Sequence, residues 1–469
     1  MAKRRVPATR YPHNLEKNYK KQLVKLTMAL SDMLLHEFDT NISVILKTSQ
    51  NRSDGLREDG ISDAVQAVLN KVKALSFGLF NPSEKYSIAS KHVRAINTTN
   101  KSQIGNQIRS QGIDPTQSEP WLSEFMDASV SENVSYIGSI SDDFNAKTEQ
   151  IIMRGVKSGQ STKDMRDELV KQVGLSKNKA EFIATDQTGT IFGQMTAERH
   201  KKAGIPGFTW RDSGDAAVRA SHHERNGKVY SYDDPTVPIP GTDYRCRCTA
   251  GPEFDESVVK DAIEERKREE KEDKKTLKDA YSEVAKAAQE APDNIKKLLS
   301  DNVTADSFEI ARDVNVAYAY RPSSKKILIN PQNKAMKYYN KQEVLLHESG
   351  HLIDFAKYKS WKNHSFKVAT QIERKVANWN ELEELFNHDK WADDDYFSDI
   401  CSGLTGNKIK GNAGHAASYW KQKGSVEKEI FANLFAMLAM NKHESMDMVR
   451  KQFPMIYGSF IKMLEGELK

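Results

Sequence analysis

Cysteine is nearly missing: Cys246, Cys248 and Cys401 are the only three in 469 residues. They are too few and too unevenly placed for a disulfide framework, so reduced thiols are expected. No apolar run of about 18 residues occurs, and no membrane span is expected. The first ten residues carry a basic patch with no apolar stretch behind it. That pattern is not a secretory signal, and synthesis and residence in a cytoplasm are expected. A strong excess of one charge is also lacking. Lys+Arg 70 against Asp+Glu 65 leaves +5, a mildly basic balance that permits contact with nucleic acid without requiring it. What remains is 38% hydrophobic and 29% charged, with a mean hydropathy of −0.68. This is the composition of a soluble globular chain, long enough for about two to four domains.

The most specific chemistry lies in Glu343-Val344-Leu345-Leu346-His347-Glu348-Ser349-Gly350-His351-Leu352-Ile353-Asp354-Phe355. On an α-helix, His347 and His351 share one face and can reach a single metal ion. Glu348 beside them can take a proton from an activated water and hand it to a leaving amine, the His-Glu-x-x-His arrangement of zinc peptidases. Asn340 followed by Glu343 reads as a capping box that starts this helix. Val344, Leu345, Leu352, Ile353 and Phe355 supply an apolar stripe that would bury it.

Along the chain, Leu15, Tyr19, Leu23, Leu26, Leu30, Met33, Leu34 and Phe38 recur at helical spacing, and Ile61 to Phe80 does so again. Ser49 to Gly60 between them is polar and turn-rich. These amphipathic helices either form a bundle or lie against a partner. From Asp143 to Arg199 the pattern stays helical, with expected breaks at Gly159-Gln160-Ser161 and Gly174-Leu175-Ser176, where Ser161 and Ser176 can cap the helices that follow. Phe208 to Asp212 then reads as a strand, and Asn226-Gly227 before Lys228-Val229-Tyr230 as a hairpin turn. Cys246 and Cys248 with His222 or His223 could form a small zinc site, or remain buried thiols beside a hydrogen-bonded histidine.

Trp210, Asp215, Arg219 and His222, followed by Asn-Gly-Lys-Val-Tyr, Asp-Asp-Pro, Pro-Gly and Cys246-Arg247-Cys248, resemble the minor head protein (head morphogenesis, Mu F-like) family of tailed phages over about residues 143–252. Arg245 stands where that pattern usually has Asn. The resemblance implies a place inside the capsid of the virion, contact with the portal protein and other capsid or scaffold proteins, and a part in head assembly or DNA packaging. Packaged DNA is a further expected contact of the basic N-terminal helices.

Asp255 to Glu290 is dense in mixed charge and is expected to be a solvated linker helix. Beyond it, Phe308 to Tyr320 and Lys325 to Asn330 read as strands with a turn at Pro322-Ser323-Ser324, and Lys326-Ile327-Leu328-Ile329 is the candidate edge for an extended peptide. A catalytic zinc takes three protein ligands. Lys357 stands where one zincin branch has a third histidine. Glu373 fits a thermolysin-like spacing and is the alternative to Glu429, a lone charge entering the apolar helix Ile430-Phe431-Ala432-Asn433-Leu434-Phe435.

His-Glu-x-Gly-His-x-x-Asp followed by Glu-x-Phe-Ala-x-x-Phe, with Phe453 to Tyr457 near the end, resembles the zinc domain of the anthrax lethal factor type. The resemblance implies zinc held by His347, His351 and Glu429, Glu348 as general base acting on a peptide substrate, and Asp354 orienting an imidazole. Asn433 departs from the second acidic residue of that pattern. Gln422 replaces its tyrosine, so His415 or Tyr419 is expected to stabilise the oxyanion. His364 and His388 are expected to be exposed, Cys401 a packed thiol, and Trp361 and Trp391 core or interface anchors.

The expected fold is therefore α+β and predominantly helical. It comprises an N-terminal helical region (1–142), a small Mu F-like module (143–255), a charged helical linker (256–292) and a zincin-like α+β domain (293–469).

Overall fold

A computed structural model describes residues 6–50, 58–114, 118–388, 390–411 and 414–466. Most of the polar stretch after Ser49, and the His388 side chain, lie outside the described residues. The fold is α+β and predominantly helical, with two three-stranded sheets among the described residues. The chain divides into two compact units, Met1–Glu265 and Arg266–Lys469.

The first unit is built on six helices: α1 (His13–Glu37), α2 (Ser43–Gln50), α3 (Glu58–Leu79), α4 (Pro82–Ser110), α5 (Trp121–Ser158) and α6 (Thr162–Lys202). Tyr19, Leu23, Leu30, Leu34 and Phe38 are all buried, so the stripe of α1 closes against α4, α5 and α6 as a bundle. Buried amides fix the register: the Tyr19 hydroxyl donates to Asn133 Oδ1 at 2.8 Å, and Asn133 Nδ2 donates to Gln187 Oε1 at 2.9 Å. Between α5 and α6 the chain breaks where expected. Gly159 ends α5 in the left-handed conformation, and Ser161 Oγ accepts the Asp164 N–H at 3.1 Å.

The second expected break does not occur. Helix α6 runs through Gly174 and Ser176, and Ser176 is buried within it. A mid-helix glycine costs about 1 kcal/mol relative to alanine. Burial of Met165, Leu169, Ala180 and Ile183 on both sides of it outweighs that.

After α6 comes an antiparallel sheet of order β2-β1-β3, from β1 (Gly207–Arg211), β2 (Val229–Ser231) and β3 (Thr249–Glu253). Asn226-Gly227 is a turn, but it joins a short helix, α7 (Ala220–Arg225), to β2 rather than two strands. The Gly227 N–H donates to Trp210 O at 2.9 Å and anchors the turn on β1.

Helix α8 (Glu256–Glu290) is continuous, and the division between units falls within it. Its first turn carries the expected i,i+4 pair, Lys260 with Glu256 at 2.8 Å. One face of its last turns is not solvated: Ala280, Val284 and Ala287 belong to the core of the second unit.

In the second unit, α9 (Asp293–Asn302) precedes β4 (Phe308–Ile310), β5 (Tyr318–Arg321) and β6 (Lys326–Ile329). Phe308 to Tyr320 is thus two short strands rather than one. The sheet order is β4-β6-β5, with β6 parallel to β4 and antiparallel to β5. Lys326–Ile329 is therefore the central strand and cannot offer an edge. Its Ile327, Leu328 and Ile329 are buried on both faces, which explains the continuous apolar run. Helices α10 (Lys341–Ile353), α11 (His364–Val376), α12 (Trp379–His388), α13 (Asp395–Thr405), α14 (Ser425–Ala439), α15 (His443–Gln452) and α16 (Pro454–Leu464) complete the unit around Phe366, Phe397, Phe431, Phe435, Phe453 and Phe460.

Candidate metal centre and a cysteine–histidine cluster

Helix α10 carries the paired histidines and begins as expected. Asn340 Oδ1 accepts the N–H groups of Gln342 and Glu343 at 3.1 and 3.4 Å. The Glu343 carboxylate does not complete a capping box; it pairs with Lys442 at 2.8 Å. Leu345, Leu346, Leu352 and Ile353 are buried and fix the face on which His347 and His351 stand.

Helix α14 crosses α10 at Gly350, where a Cβ would lie 3.0 Å from Ala432 Cα and 3.2 Å from its carbonyl oxygen. Those contacts are tighter than ordinary Cβ packing, so glycine at that position favours the close approach of the two helices. The crossing brings Glu429 onto the two imidazoles: Glu429 Oε2 is 3.2 Å from His347 Nε2 and 3.3 Å from His351 Nε2.

His415 reaches the same oxygen, its Nε2 3.4 Å away. The Tyr419 hydroxyl donates to Glu429 Oε1, and the His415 and Tyr419 rings stack with centroids 4.0 Å apart. Tyr419 sits on a 3-10 turn, Tyr419–Lys421, so a hydroxyl reaches Glu429 although Gln422 occupies the tyrosine position of the lethal factor pattern. His347, His351, His415 and Tyr419 thus converge on Glu429. Glu348 is 9% exposed, and its Oε2 accepts the Tyr320 N–H from β5 at 2.5 Å.

The site buries a carboxylate among imidazoles. Glu429 is 1% exposed, yet its Oε2 accepts no hydrogen bond despite the three imidazoles around it. Burial pushes its carboxyl up, but the facing imidazoles win and hold it well below the usual range. Conversely, burial pulls His351 down while Glu429 draws it up, to about 9. The spacing also fits a metal. Tetrahedral zinc with bonds of about 2.0–2.1 Å places nitrogen and oxygen ligands about 3.4 Å apart. The 3.2 and 3.3 Å separations of Glu429 Oε2 from the paired imidazoles match that.

Three sequence expectations are corrected. Glu373 is no ligand: it is buried, and its Oε1 accepts the Met455 N–H at 2.7 Å, capping α16. The hydrogen bonds that Asp354 accepts come from Ser360, at 2.8 Å from its N–H and 2.6 Å from its hydroxyl, rather than from an imidazole. That bonding is local because the α10 segment ends in a π-turn, Asp354–Tyr358, closed at Ser360. The free edge near the base is β5, not β6.

Asp399, which sequence reasoning did not single out, completes the surround. It is buried on α13, forms a second donor group with His415 and Glu429, and its Oδ2 accepts from Asn433 Nδ2 at 2.9 Å. Burial and the neighbouring Glu429 raise its carboxyl. The acid expected at 433 is therefore replaced by an amide that binds an acid from another helix. The available signal was a carboxylate among Phe397, Ile400, Cys401 and Leu404, as Glu429 stands among Ile430, Phe431 and Leu434.

The remaining residues fall as expected: Cys401 and Trp391 are buried in the core and His364 is exposed. Trp361 packs its ring against Phe355 with centroids 4.3 Å apart.

In the first unit, His222, Cys246 and Cys248 are buried with their donor atoms converging. His223 does not join them; it is exposed and binds Asp212 at 2.9 Å.

Residues 146–251 match the family described as Phage Mu protein F like protein. A protein of Haemophilus influenzae, described as uncharacterized, is 25% identical over 273 residues, covering 56% of this chain. The chain spans 59% of that relative's length. No solved structure matches.

Proposed function

We propose that this chain is a minor head protein of a tailed phage whose second unit is a zinc-dependent endopeptidase. The phage head reading is supported by the match of residues 146–251 to the Phage Mu protein F like family. On it, the protein is made in the host cytoplasm and resides inside the virion, against the portal and other capsid proteins, with packaged DNA as a further contact. No helix among the described residues is long and apolar enough to cross a membrane.

The peptidase reading is carried by one observation: the buried, unbonded Glu429 Oε2 faces His347 and His351 at metal-ligand spacing, with Glu348 beside them. Those three residues would hold the ion. When bound, zinc lowers the pKa of a water and polarises the scissile carbonyl. Glu348, oriented by the Tyr320 N–H through Oε2, takes the proton of the attacking water and returns it to the leaving nitrogen. β5 is an edge strand, and its outward main-chain groups other than the Tyr320 N–H can meet an extended peptide next to that carboxylate. His415 and Tyr419 stand where they can hold charge developing on the carbonyl oxygen. The substrate is a head component during maturation or a host protein after ejection.

A second reading has its own observation. His415 Nε2 lies 3.4 Å from Glu429 Oε2, in a donor group with Asp399, and its joining the paired histidines as a fourth protein ligand would make a closed, structural site. Incubation of the purified chain with unfolded casein, with and without chelator and beside Glu348→Gln, separates the two. The peptidase reading expects chelator-sensitive cleavage that falls about 10²–10⁴-fold in Glu348→Gln while the metal content is unchanged. Metal-loaded protein that cleaves nothing would leave the structural reading standing.

A further inference from the structure

We propose that His222, Cys246 and Cys248 form a second metal site, for zinc or another thiophilic divalent cation, in the Mu F-like module. His222 Nδ1 lies 3.5 Å from both Cys246 Sγ and Cys248 Sγ. Tetrahedral zinc with bonds of about 2.3 Å to sulfur and 2.0–2.1 Å to nitrogen places those atoms about 3.5–3.6 Å apart.

The imidazole is preset for this. Its Nε2 lies 2.8 Å from Asp243 Oδ2. A carboxylate only accepts, so Nε2 carries the proton and Nδ1 turns a lone pair toward the two sulfurs. This is the carboxylate–histidine arrangement that orients ligating imidazoles. The Trp210 ring meets the His222 ring edge-on, centroids 5.2 Å apart, and restrains its tilt.

The loop carrying the sulfurs is held from outside the cluster. Arg245, at φ 54°, turns the chain between Tyr244 and Cys246, and its N–H donates to Asp186 Oδ1 of α6 at 2.9 Å. A Cβ on Gly189 of α6 would lie 2.3 Å from the Cys246 carbonyl oxygen, so the helix admits this loop only at a glycine. A cavity of about 30 Å³, lined by Ser213, Asp215 and the three donors, opens beside them. It has room for one water as the fourth ligand.

The test uses the full chain, purified under reducing conditions and loaded with cobalt(II). The expected result is a near-ultraviolet thiolate-to-cobalt band that disappears in Cys246→Ser and persists in His347→Ala. The band belongs to this site alone, because the donor cluster of the second unit contains no sulfur, so the peptidase reading can fail without affecting it. Asp243→Asn, at a half-exposed side chain, serves if Cys246→Ser does not fold; it should weaken the metal about 10–100-fold. Absence of the band from wild type, or the same band and affinity in wild type and Asp243→Asn, overturns the proposal.

Discussion

At the scale of single residues, His415 decides between the two readings of the second unit. As an oxyanion group, its replacement by alanine leaves the metal in place and lowers turnover about 10²–10³-fold. As a fourth ligand, its replacement releases the metal. Competition titration with a chromogenic chelator, run beside the casein assay on His415→Ala, reads both quantities; full metal content with unchanged turnover would remove both roles. His347, His351 and Glu348 were legible in the sequence because their relation is local, set by one helical turn. Glu429 was legible only as a charge out of place in an apolar helix. Asp399 carried the same signal but not its partners: Asn433, Glu429 and His415 come from distant segments, and no periodicity states that they meet. The partner of Asp354 was not legible, because both of its hydrogen bonds come from Ser360, six residues on, in a turn the helical pattern does not announce.

At the scale of elements, the site depends on how closely α10 and α14 cross. Gly350 packs directly on the Ala432 backbone, so neither a flexible side chain nor solvent can yield to added atoms. Gly350→Val should separate the helices, with overpacking of about 1–3 kcal/mol, and withdraw the Glu429 carboxylate from the imidazoles. The expected outcome is a lower thermal midpoint together with weaker metal binding. Wild-type metal affinity in a folded Gly350→Val protein would show that the crossing does not position Glu429. Helix propensity was readable in the chain, whereas the competition between local stop signals and burial was not. Ser161 and Ser176 follow equally plausible glycine breaks, yet only Ser161 caps a helix, because the buried stripe from Met165 to Ile183 carries α6 past the second. Strand order was likewise hidden: the apolar run of β6 marks a strand buried on both faces, and only pairing reveals that β4 and β5 flank it.

At the scale of the molecule, the stretch that matches the phage family does not stand by itself. It covers residues 146–251, yet residues from the start of the chain are built into it. The Thr9 hydroxyl donates to Ala250 O at 2.7 Å, and Arg247 donates to both carboxylate oxygens of Glu16 at 2.7 and 2.8 Å. The Tyr11 hydroxyl also donates to Glu16, at 2.8 Å. Burial pushes the Glu16 carboxyl up, but Arg247 and the two hydroxyls of Tyr11 and Thr185 outweigh it, so Glu16 titrates below the usual carboxylate range. A carboxyl with its folded value depressed contributes stability that is complete above the unfolded value of about 4.3. That contribution is lost as pH falls through the folded value. Acid should therefore loosen the clasp between α1 and the segment entering β3. Glu16→Gln should lose roughly 1.5–3 kcal/mol at neutral pH, the range for hydrogen bonds to a charged group, and its stability should fall less steeply below about pH 4.3. Denaturant unfolding of the full chain across that range measures the slope, and parallel curves for wild type and Glu16→Gln would show that this ion pair does not couple the N-terminal helices to the family-matched stretch.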